Sequence, residues 1–361
     1  MEGADGPRPR PFRSVVSRSS EYTYTPAWWV PGAHLQTLWG KLVRRPPLVP
    51  TRAERWTTPD HDDIEIRRLD LSVGATSQMP RLLLLHGLEG TIDSHYLRGM
   101  LAAARARGWA ADVLLFRTCN GETNRARRMY HSGETSDLDF VVRRLVRDHP
   151  EQPLVAVGFS LGGNVLLKWL GEQGDDAPPQ LRAAATVSVP FDLERGSRRI
   201  GRGVSRIYGR HFLRTLRAKA HAKLRDYPGL FDPAALDQAR TLFAFDDAVT
   251  APVHDFQSAS DYYSRSSSIH FLSGIRRPTL LLNAFDDPFL PPEVLEDVAM
   301  MALENPFLDT EFHRRGGHVG FVSGRNPLRP RFYAESRALE FLAHWARFHP
   351  RLDLAEELNE E

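Results

Sequence analysis

Cysteine is nearly absent from this chain, because Cys119 is the single one among 361 residues. One cysteine excludes an internal disulfide framework and any cysteine-rich metal site, and it fits a reducing compartment. Long apolar runs are also missing: no stretch approaches the roughly 18 consecutive apolar residues of a transmembrane helix. We therefore expect a cytoplasmic protein without a membrane span.

The net charge of the chain is also small. The 47 lysines and arginines nearly balance the 45 acidic residues and leave a formal net charge of +2. No overall field therefore attracts nucleic acid or an anionic membrane. The first twenty residues combine arginine, proline and serine without an apolar core, which excludes a secretory signal. We expect residues 1–23 to form a disordered tail. The sequence leaves the oligomeric state undetermined.

The apolar residues that are present fall into short runs separated by helical patterns. Alternating strands and helices predict an α/β fold, with a mostly parallel central sheet covered by helices on both faces. The predicted strands are an antiparallel hairpin over Arg52–Leu71, then Arg81–His86, Ala110–Phe116, Leu154–Phe159, Leu181–Val189, Pro278–Asn283 and about Leu308–His313. The predicted helices include Ser94–Arg107, one from Thr135 or Ser136 to His149, Pro292–Leu303 and Tyr333–Phe348.

The alternation stops between two strands, where residues 191–268 are basic and helical in character. We expect residues 51–190 and 269–361 to form the core and 191–268 to form an inserted helical cap. Such a cap would cover the carboxyl edge of the sheet, where open α/β sheets bind ligands. A solvated helix face explains the cap's arginines most simply. Binding of nucleic acid or of an anionic membrane by the basic cap is the non-enzymatic alternative.

An aromatic segment precedes the core, and residues 24–50 are expected to form an arm packed on it. Three tryptophans within Tyr24–Gly40 require burial. Two further interpretations stay open, namely that the arm also lines a substrate pocket or that it forms a membrane-surface helix. The break at Pro31-Gly32 disfavours the membrane-surface helix.

A serine motif, Gly158-x-Ser160-x-Gly162, lies between a buried strand pattern and an apolar helix. Strand, sharp turn and helix with a serine at the tip are typical of a nucleophile elbow. The turn is so tight that a Cβ at either flanking glycine would clash. We therefore predict Ser160 as a nucleophile.

A serine hydroxyl needs a base, and the base needs an acid that fixes its tautomer. In the α/β-hydrolase order the acid and then the histidine follow the serine. His318 is the predicted base, because flanking glycines let its loop bend back toward the serine. Asp287 is the favoured acid and Asp286 the alternative, and the carboxylate that loses this role is expected to bind loop N–H groups. Cys119 has neither a helix start nor a paired base and is not proposed as a nucleophile.

The oxyanion of the reaction must meet preorganised donors. The N–H of Leu161 and the N–H of Leu88, in the loop His86-Gly-Leu-Glu-Gly90, are the predicted donors. Substrate contacts are expected from the following residues: His86, Gly87, Phe159 and Tyr130. A purely structural role is the alternative for His86. No cofactor and no metal are expected.

Six motifs in order resemble the YheT-like α/β hydrolases, bacterial relatives of the eukaryotic abhydrolase-domain esterases and lipases and of the yeast medium-chain acyl ester synthases. These motifs are Pro31–Thr37, His86–Gly90, Tyr130–Leu138, Gly158–Asn164, Phe245–Thr250 and Gly316–Phe321. The resemblance spans roughly residues 24–345. It implies carboxylester hydrolysis by Ser160, His318 and one of the two aspartates. It also implies that segments 130–138 and 245–250 form walls of the site.

The resemblance has one departure, at Arg117-Thr-Cys-Asn-Gly121, where relatives tend to carry glycine and serine around the cysteine. The loop's shape is therefore expected to differ here.

We expect a serine hydrolase of short- to medium-chain acyl esters, acting on a small-molecule substrate without nucleic acid. Acyl transfer to an alcohol, or a phospholipase-like lipase activity, would use the same triad. Transient contact with a membrane surface stays open.

Overall fold

The computed structural model describes residues 23–70 and 79–347. The predicted disordered tail, residues 1–23, lies outside the described residues except for its last residue. The strands are β1 (Arg52–Thr57), β2 (Asp63–Leu69), β3 (Arg81–Leu85), β4 (Ala110–Leu115), β5 (Leu154–Phe159), β6 (Leu181–Val187), β7 (Thr279–Ala284), β8 (Leu308–His313), β9 (Val322–Ser323) and β10 (Arg331–Phe332). The α-helices are α1 (Ala33–Leu42), α2 (His95–Ala106), α3 (Ser136–Asp148), α4 (Leu161–Gln173), α5 (Leu193–Ile200), α6 (Arg206–Asp226), α7 (Pro233–Gln238), α8 (Leu242–Phe245), α9 (Ala251–Val253), α10 (Ala259–Ser266), α11 (Pro292–Leu303) and α12 (Tyr333–Ala346).

A central sheet joins eight of the strands in the order β1-β2-β4-β3-β5-β6-β7-β8. The strands from β4 to β8 in this order are parallel, and β2 pairs antiparallel with both β1 and β4. Strands β3, β4 and β5 are buried along their whole length, as expected for parallel strands covered on both faces. The predicted fold class, a mostly parallel α/β sheet with helices on both faces, is confirmed.

Alternate side chains of each buried strand divide the core into two layers. Leu83 and Leu85 belong to one apolar cluster with α3, α4 and α11. Leu82 and Leu84 belong to the other, with α2 and α12. This alternation follows from the two-residue period of a strand. Because β5 leads directly into α4, the sheet brings Ser160 to its carboxyl edge.

Helices α5 to α10 all lie between β6 and β7, in the segment expected to form a cap. The longest of them, α6, packs Leu213, Leu216 and Ala220 into a separate apolar cluster that also contains Phe245 and Val249. The helical character of this segment agrees with its sequence. The division of the chain into arm, core and cap stays a prediction.

The aromatic segment contains α1, which begins directly after Pro31-Gly32. Gly32 has a φ of 79°, a value that favours glycine. The Gln36 amide accepts the N–H of Val322 at 2.7 Å and donates to the Val322 carbonyl at 3.2 Å. The arm is therefore hydrogen-bonded to the chain just after His318. No helix within residues 23–70 and 79–347 is both long and apolar enough to cross a membrane.

The Arg117 side chain is completely buried and joins three carboxylates. Its guanidinium donates to Asp137 of α3 at 2.7 Å, to Asp62 at 2.6 Å and to Asp60 at 3.0 Å. Asp60 and Asp62 belong to the turn between β1 and β2, so Arg117 connects this hairpin to α3. Burial raises the pKa of Asp60, but hydrogen bonds from Arg117 and Arg128 outweigh it and leave that pKa well below its usual range. Arg117, the first residue of the departing segment, thus belongs to a local ion network, and the next residue, Thr118, has a φ of 67°.

Replacing Arg117 with methionine is expected to lower the free energy of unfolding by about 3–5 kcal/mol, because buried carboxylates would lose their cation. Unfolding in urea measures the loss. Arg128 is the matched control, since it binds Asp60, Glu134 and Asp137 but its side chain is 27% exposed. Arg128→Met should cost about 1 kcal/mol. Equal losses in the two variants would contradict the structural role assigned to Arg117.

Candidate active site

Ser160 occupies a sharp turn between β5 and α4. Its φ of 52° and ψ of −120° are unusual for a residue with a side chain. A Cβ on Gly158 would lie 2.6 Å from the Gly162 carbonyl oxygen, and one on Gly162 would lie 2.5 Å from the His86 carbonyl oxygen. The predicted requirement for glycine at both flanks is confirmed. Only this close approach lets the turn present the hydroxyl above the sheet.

The imidazole of His318 lies between Ser160 and Asp287. Its Nε2 is 2.9 Å from Ser160 Oγ, and its Nδ1 is 2.8 Å from Asp287 Oδ2. A carboxylate beside Nδ1 keeps the proton on that nitrogen, which leaves the Nε2 lone pair facing the serine hydroxyl. The structure therefore brings together the three residues that the sequence singled out.

The neighbouring carboxylate, Asp286, has a different set of partners. Its Oδ1 accepts the N–H groups of Gly316 at 2.8 Å and Gly317 at 2.9 Å. This is the interaction expected of whichever aspartate does not pair with the histidine. Burial raises the pKa of Asp286, and the two N–H groups oppose that shift. Asp286 thus holds the loop that carries His318, whereas Asp287 contacts the imidazole itself.

Three residues that the sequence argument did not assign to the site hold His318 in place. The His318 N–H donates to Thr37 Oγ1 at 2.9 Å, and the following N–H, of Val319, donates to Ser188 Oγ at 2.9 Å. The ring of Phe289 stacks on the imidazole with 4.0 Å between centroids. Thr37 lies within the first of the six sequence motifs, and that motif is the sequence signal that could have identified it as a site residue. Ser188 and Phe289 lie in no such motif.

The loop after β3 passes directly over Ser160. A Cβ on Gly87 would lie 3.1 Å from the Cβ of Ser160, so the backbone comes as close as it can. Within the described residues, the N–H groups of Leu88 and Leu161 have no hydrogen-bond acceptor. The role of these two N–H groups as oxyanion donors stays a prediction.

Side chains from two other elements clamp this loop. Glu89 has a φ of 57°, and its N–H donates to the Tyr130 hydroxyl at 3.1 Å. The same hydroxyl donates back to Glu89 Oε1 at 2.6 Å, and Lys219 Nζ of α6 donates to that oxygen at 2.7 Å. Burial raises the pKa of Tyr130 well above its ordinary value, so its phenol keeps the proton that it donates. Helix α6 is thus ion-paired to the residue that follows Leu88.

Two of the expected substrate contacts need correction. His86 is fully buried: its Nδ1 lies 2.7 Å from the Gly87 carbonyl oxygen, and its Nε2 accepts the Phe116 N–H at 3.1 Å. Burial lowers the pKa of His86 to about 4, so the ring is a neutral brace, which was the structural alternative. Phe159 is also fully buried and packs on Tyr96, 4.5 Å between centroids. Its place in the strand turns it into the core and away from Ser160, so the predicted contact is wrong.

Cys119 lies near the site without being suited to attack. It is buried, and its Sγ lies 3.5 Å from Lys219 Nζ. Burial raises the pKa of its thiol to about 11, although Lys219 opposes that shift. The thiolate is the reactive form of cysteine, and it is scarce at neutral pH under these conditions.

Two hollows meet at Ser160 and His318. The inner cavity has a volume of about 130 Å³ and is mainly apolar. It includes residues from both segments expected to wall the site, and its lining includes Leu88, Tyr130, Leu161, Leu193, Val249 and Tyr262. The outer groove has a volume of about 900 Å³ and runs between α1 and the start of α6. Gly87 lines the groove, and Leu88 lines both hollows. Within the described residues, no group of three or more histidine, cysteine or acidic side chains is placed to hold a metal ion.

Comparisons with known proteins agree with this fold. The family model for the alpha/beta hydrolase fold matches residues 80–311. YheT of Escherichia coli (strain K12), which bears a provisional esterase name, is 39% identical over 90% of this chain and 94% of its own length. Phospholipase ABHD3 of Mus musculus is 31% identical over 84% of this chain and 74% of its own length.

A solved structure supports the fold independently. An esterase of Pyrococcus furiosus superposes with a TM-score of 0.54 at 18% identity, over 84% of this chain and 97% of that one. At such identity the similarity shows the fold alone. The family model and the sequence relatives also establish the family. The chain belongs to the α/β hydrolase fold family, in the YheT-like group that its motifs indicated.

Proposed function

We propose that this protein is a serine hydrolase that cleaves carboxylic esters of short- to medium-chain acyl groups. The observation that carries the proposal is the position of the His318 imidazole, within 3 Å of both Ser160 Oγ and Asp287 Oδ2. The esterase and phospholipase names of relatives support the same bond type.

In the first half of the reaction, Ser160 Oγ attacks the ester carbonyl carbon. His318 Nε2 takes the hydroxyl proton, and Asp287 stabilises the imidazolium that forms. The carbonyl oxygen becomes an oxyanion, and the N–H groups of Leu88 and Leu161 donate to it. Preorganised donors are effective here because they need no reorientation as the charge develops.

Collapse of the tetrahedral intermediate breaks the bond to the alcohol oxygen. His318 returns its proton to that oxygen, and the alcohol leaves an acyl group on Ser160. Water then attacks this acyl-enzyme and gives its proton to His318. The second intermediate releases the carboxylic acid and restores the serine hydroxyl.

The inner cavity supports an acyl group of limited length. An engineered apolar cavity of about 150 Å³ binds benzene, so a 130 Å³ cavity suits an acyl chain of about six carbons. Tyr262 and Tyr263 of α10 contribute to its lining.

A fluorophosphonate probe is expected to label Ser160 covalently, because the hydroxyl has a base within hydrogen-bond reach. Intact-protein mass spectrometry detects the adduct. Ser160→Ala, checked for folding by thermal unfolding, should give no adduct. An adduct that persists in folded Ser160→Ala would contradict the proposed nucleophile.

The two aspartates provide a paired test of the acid. Asp287→Asn should lower kcat by about 10⁴, since an amide beside Nδ1 favours the wrong imidazole tautomer. Asp286→Asn keeps an oxygen that can accept from the His318 loop, so it should lower kcat far less. Steady-state kinetics on a short-chain ester measures both. A larger loss in Asp286→Asn would reverse the assignment.

Lys219 is proposed as a positioning residue for the Leu88 donor. Lys219→Met should lower kcat about tenfold with little change in KM. Deleting an oxyanion-hole donor outright lowers kcat by about 10²–10³-fold, so the loss expected here is smaller. Lys219→Arg should restore most of kcat, because it can still pair with Glu89. Arg217→Met is the control on the same helix, since Arg217 pairs with Asp237 outside the site. An equal loss in Arg217→Met would mean that α6 is merely destabilised.

A further inference from the structure

We propose that the mouth of the outer groove docks on an anionic lipid surface. The docking face comprises exposed residues that line this groove, namely Lys41, Leu42, Arg45, Leu48, Val204 and Ile207, together with Arg210 and Arg214, which follow Ile207 along α6 and line a neighbouring hollow. This binding goes beyond the proposed reaction and does not require it. Two independent features of the face, its aliphatic residues and its unpaired cations, support the proposal.

The aliphatic residues are exposed to an unusual degree for one small region. Leu42 is 62% exposed, Leu48 75% and Ile207 65%. A single exposed aliphatic side chain is ordinary on a protein surface. These three line the mouth of the same groove, together with Val204, and so form a shared apolar rim.

Contacts between the arm and α6 hold this rim together. The His34 ring stacks on Tyr208, and its Nδ1 lies 3.1 Å from the Tyr208 hydroxyl. Lys41 Nζ donates to His211 Nε2 at 3.0 Å. The apolar residues therefore come from distant parts of the sequence but lie on two elements that contact each other.

The cations of the docking face lack acidic partners. Within the described residues, no ion pair forms at Lys41, Arg45, Arg210 or Arg214. Other arginines of the cap are paired: Arg195 binds Asp297, and Arg198 binds Glu194. The acidic side chains of the groove are also occupied, because Lys219 pairs with Glu89 and Arg98 with Asp93. The face therefore carries uncompensated positive charge.

The spacing along α6 places charge and apolar surface side by side. Ile207, Arg210 and Arg214 are separated by three and four residues and share one face of the helix. Aliphatic residues flanked by arginine and lysine are the composition of segments that lie in a membrane interface. Each cation near such a surface adds attraction to anionic headgroups.

Other occupants fit these features less well. Nucleic acid would use the cations but would leave the exposed aliphatic rim without a role. A second copy docked by the same face would oppose like charges across the two-fold axis. An anionic lipid surface satisfies both features at once. On the proposed function, a lipid-borne ester could then reach Ser160 along the groove.

Flotation of the full chain with vesicles tests the proposal. Vesicles of phosphatidylcholine mixed with phosphatidylglycerol should carry the protein upward, and vesicles of phosphatidylcholine alone should carry much less. The Leu42→Ser, Leu48→Ser, Ile207→Ser triple variant should bind the mixed vesicles at least about tenfold more weakly, because it removes buried apolar area on docking. Arg45→Gln combined with Arg210→Gln should also weaken binding, and added salt should do the same.

A matched control replaces three equally exposed apolar residues that do not line the groove: Met300→Ser, Leu303→Ser and Leu328→Ser. This control should bind like the parent chain, and thermal unfolding checks that every variant is folded. Ser160→Ala should also bind vesicles normally, which separates docking from the proposed catalysis.

Three results would overturn the proposal. The first is equal or absent binding to the two vesicle types. The second is a triple serine variant that floats like the parent chain. The third is that the substitutions leave vesicle binding unchanged but abolish another interaction of the same face. That interaction would be binding of duplex DNA or self-association measured by sedimentation.

Discussion

The strained turn at Ser160 is the constraint on which the rest of the site depends. A residue with a side chain in this conformation costs on the order of 1–3 kcal/mol, and it persists only where its surroundings hold it. The Ser160 N–H donates to the Val187 carbonyl at 2.9 Å, and its carbonyl accepts the Asn164 N–H at 3.1 Å. Glycines at 158 and 162 let the strand and helix close around the turn. The buried parallel sheet thus supplies the rigidity that keeps the half-buried hydroxyl where the two hollows meet.

Around this fixed point, each further functional group is held by a different part of the chain. The arm supports His318 through Thr37, and Asp286 holds the glycines before the histidine. Helix α6 reaches the loop after β3 through the ion pair of Lys219 with Glu89. Because the supports come from separate elements, the arm and the cap help to define the geometry of the site as well as its walls. This arrangement also explains why the inner cavity and the outer groove both end at Ser160.

The arm and the start of α6 give the outer groove a character unlike that of the inner cavity. The inner cavity is lined by buried apolar side chains, which suits an acyl chain. The groove opens among exposed aliphatic residues and unpaired cations. The arm, which supports the His318 loop, and α6, which supports the loop after β3, therefore also present the proposed lipid-facing surface.

Much of this protein follows from local sequence. Short apolar runs alternating with helical patterns predicted the parallel sheet, since a strand buried on both faces has few polar positions. The elbow glycines, and the order of serine, aspartate and histidine, identified the candidate site. Only the tertiary structure distinguished Asp287 from Asp286, because adjacent residues differ in direction and not in local pattern. It also turned His86 and Phe159 away from the groove, and it brought Thr37, Lys219 and Arg117 to partners far along the chain. Such contacts depend on how distant elements pack, so no local pattern of residues specifies them.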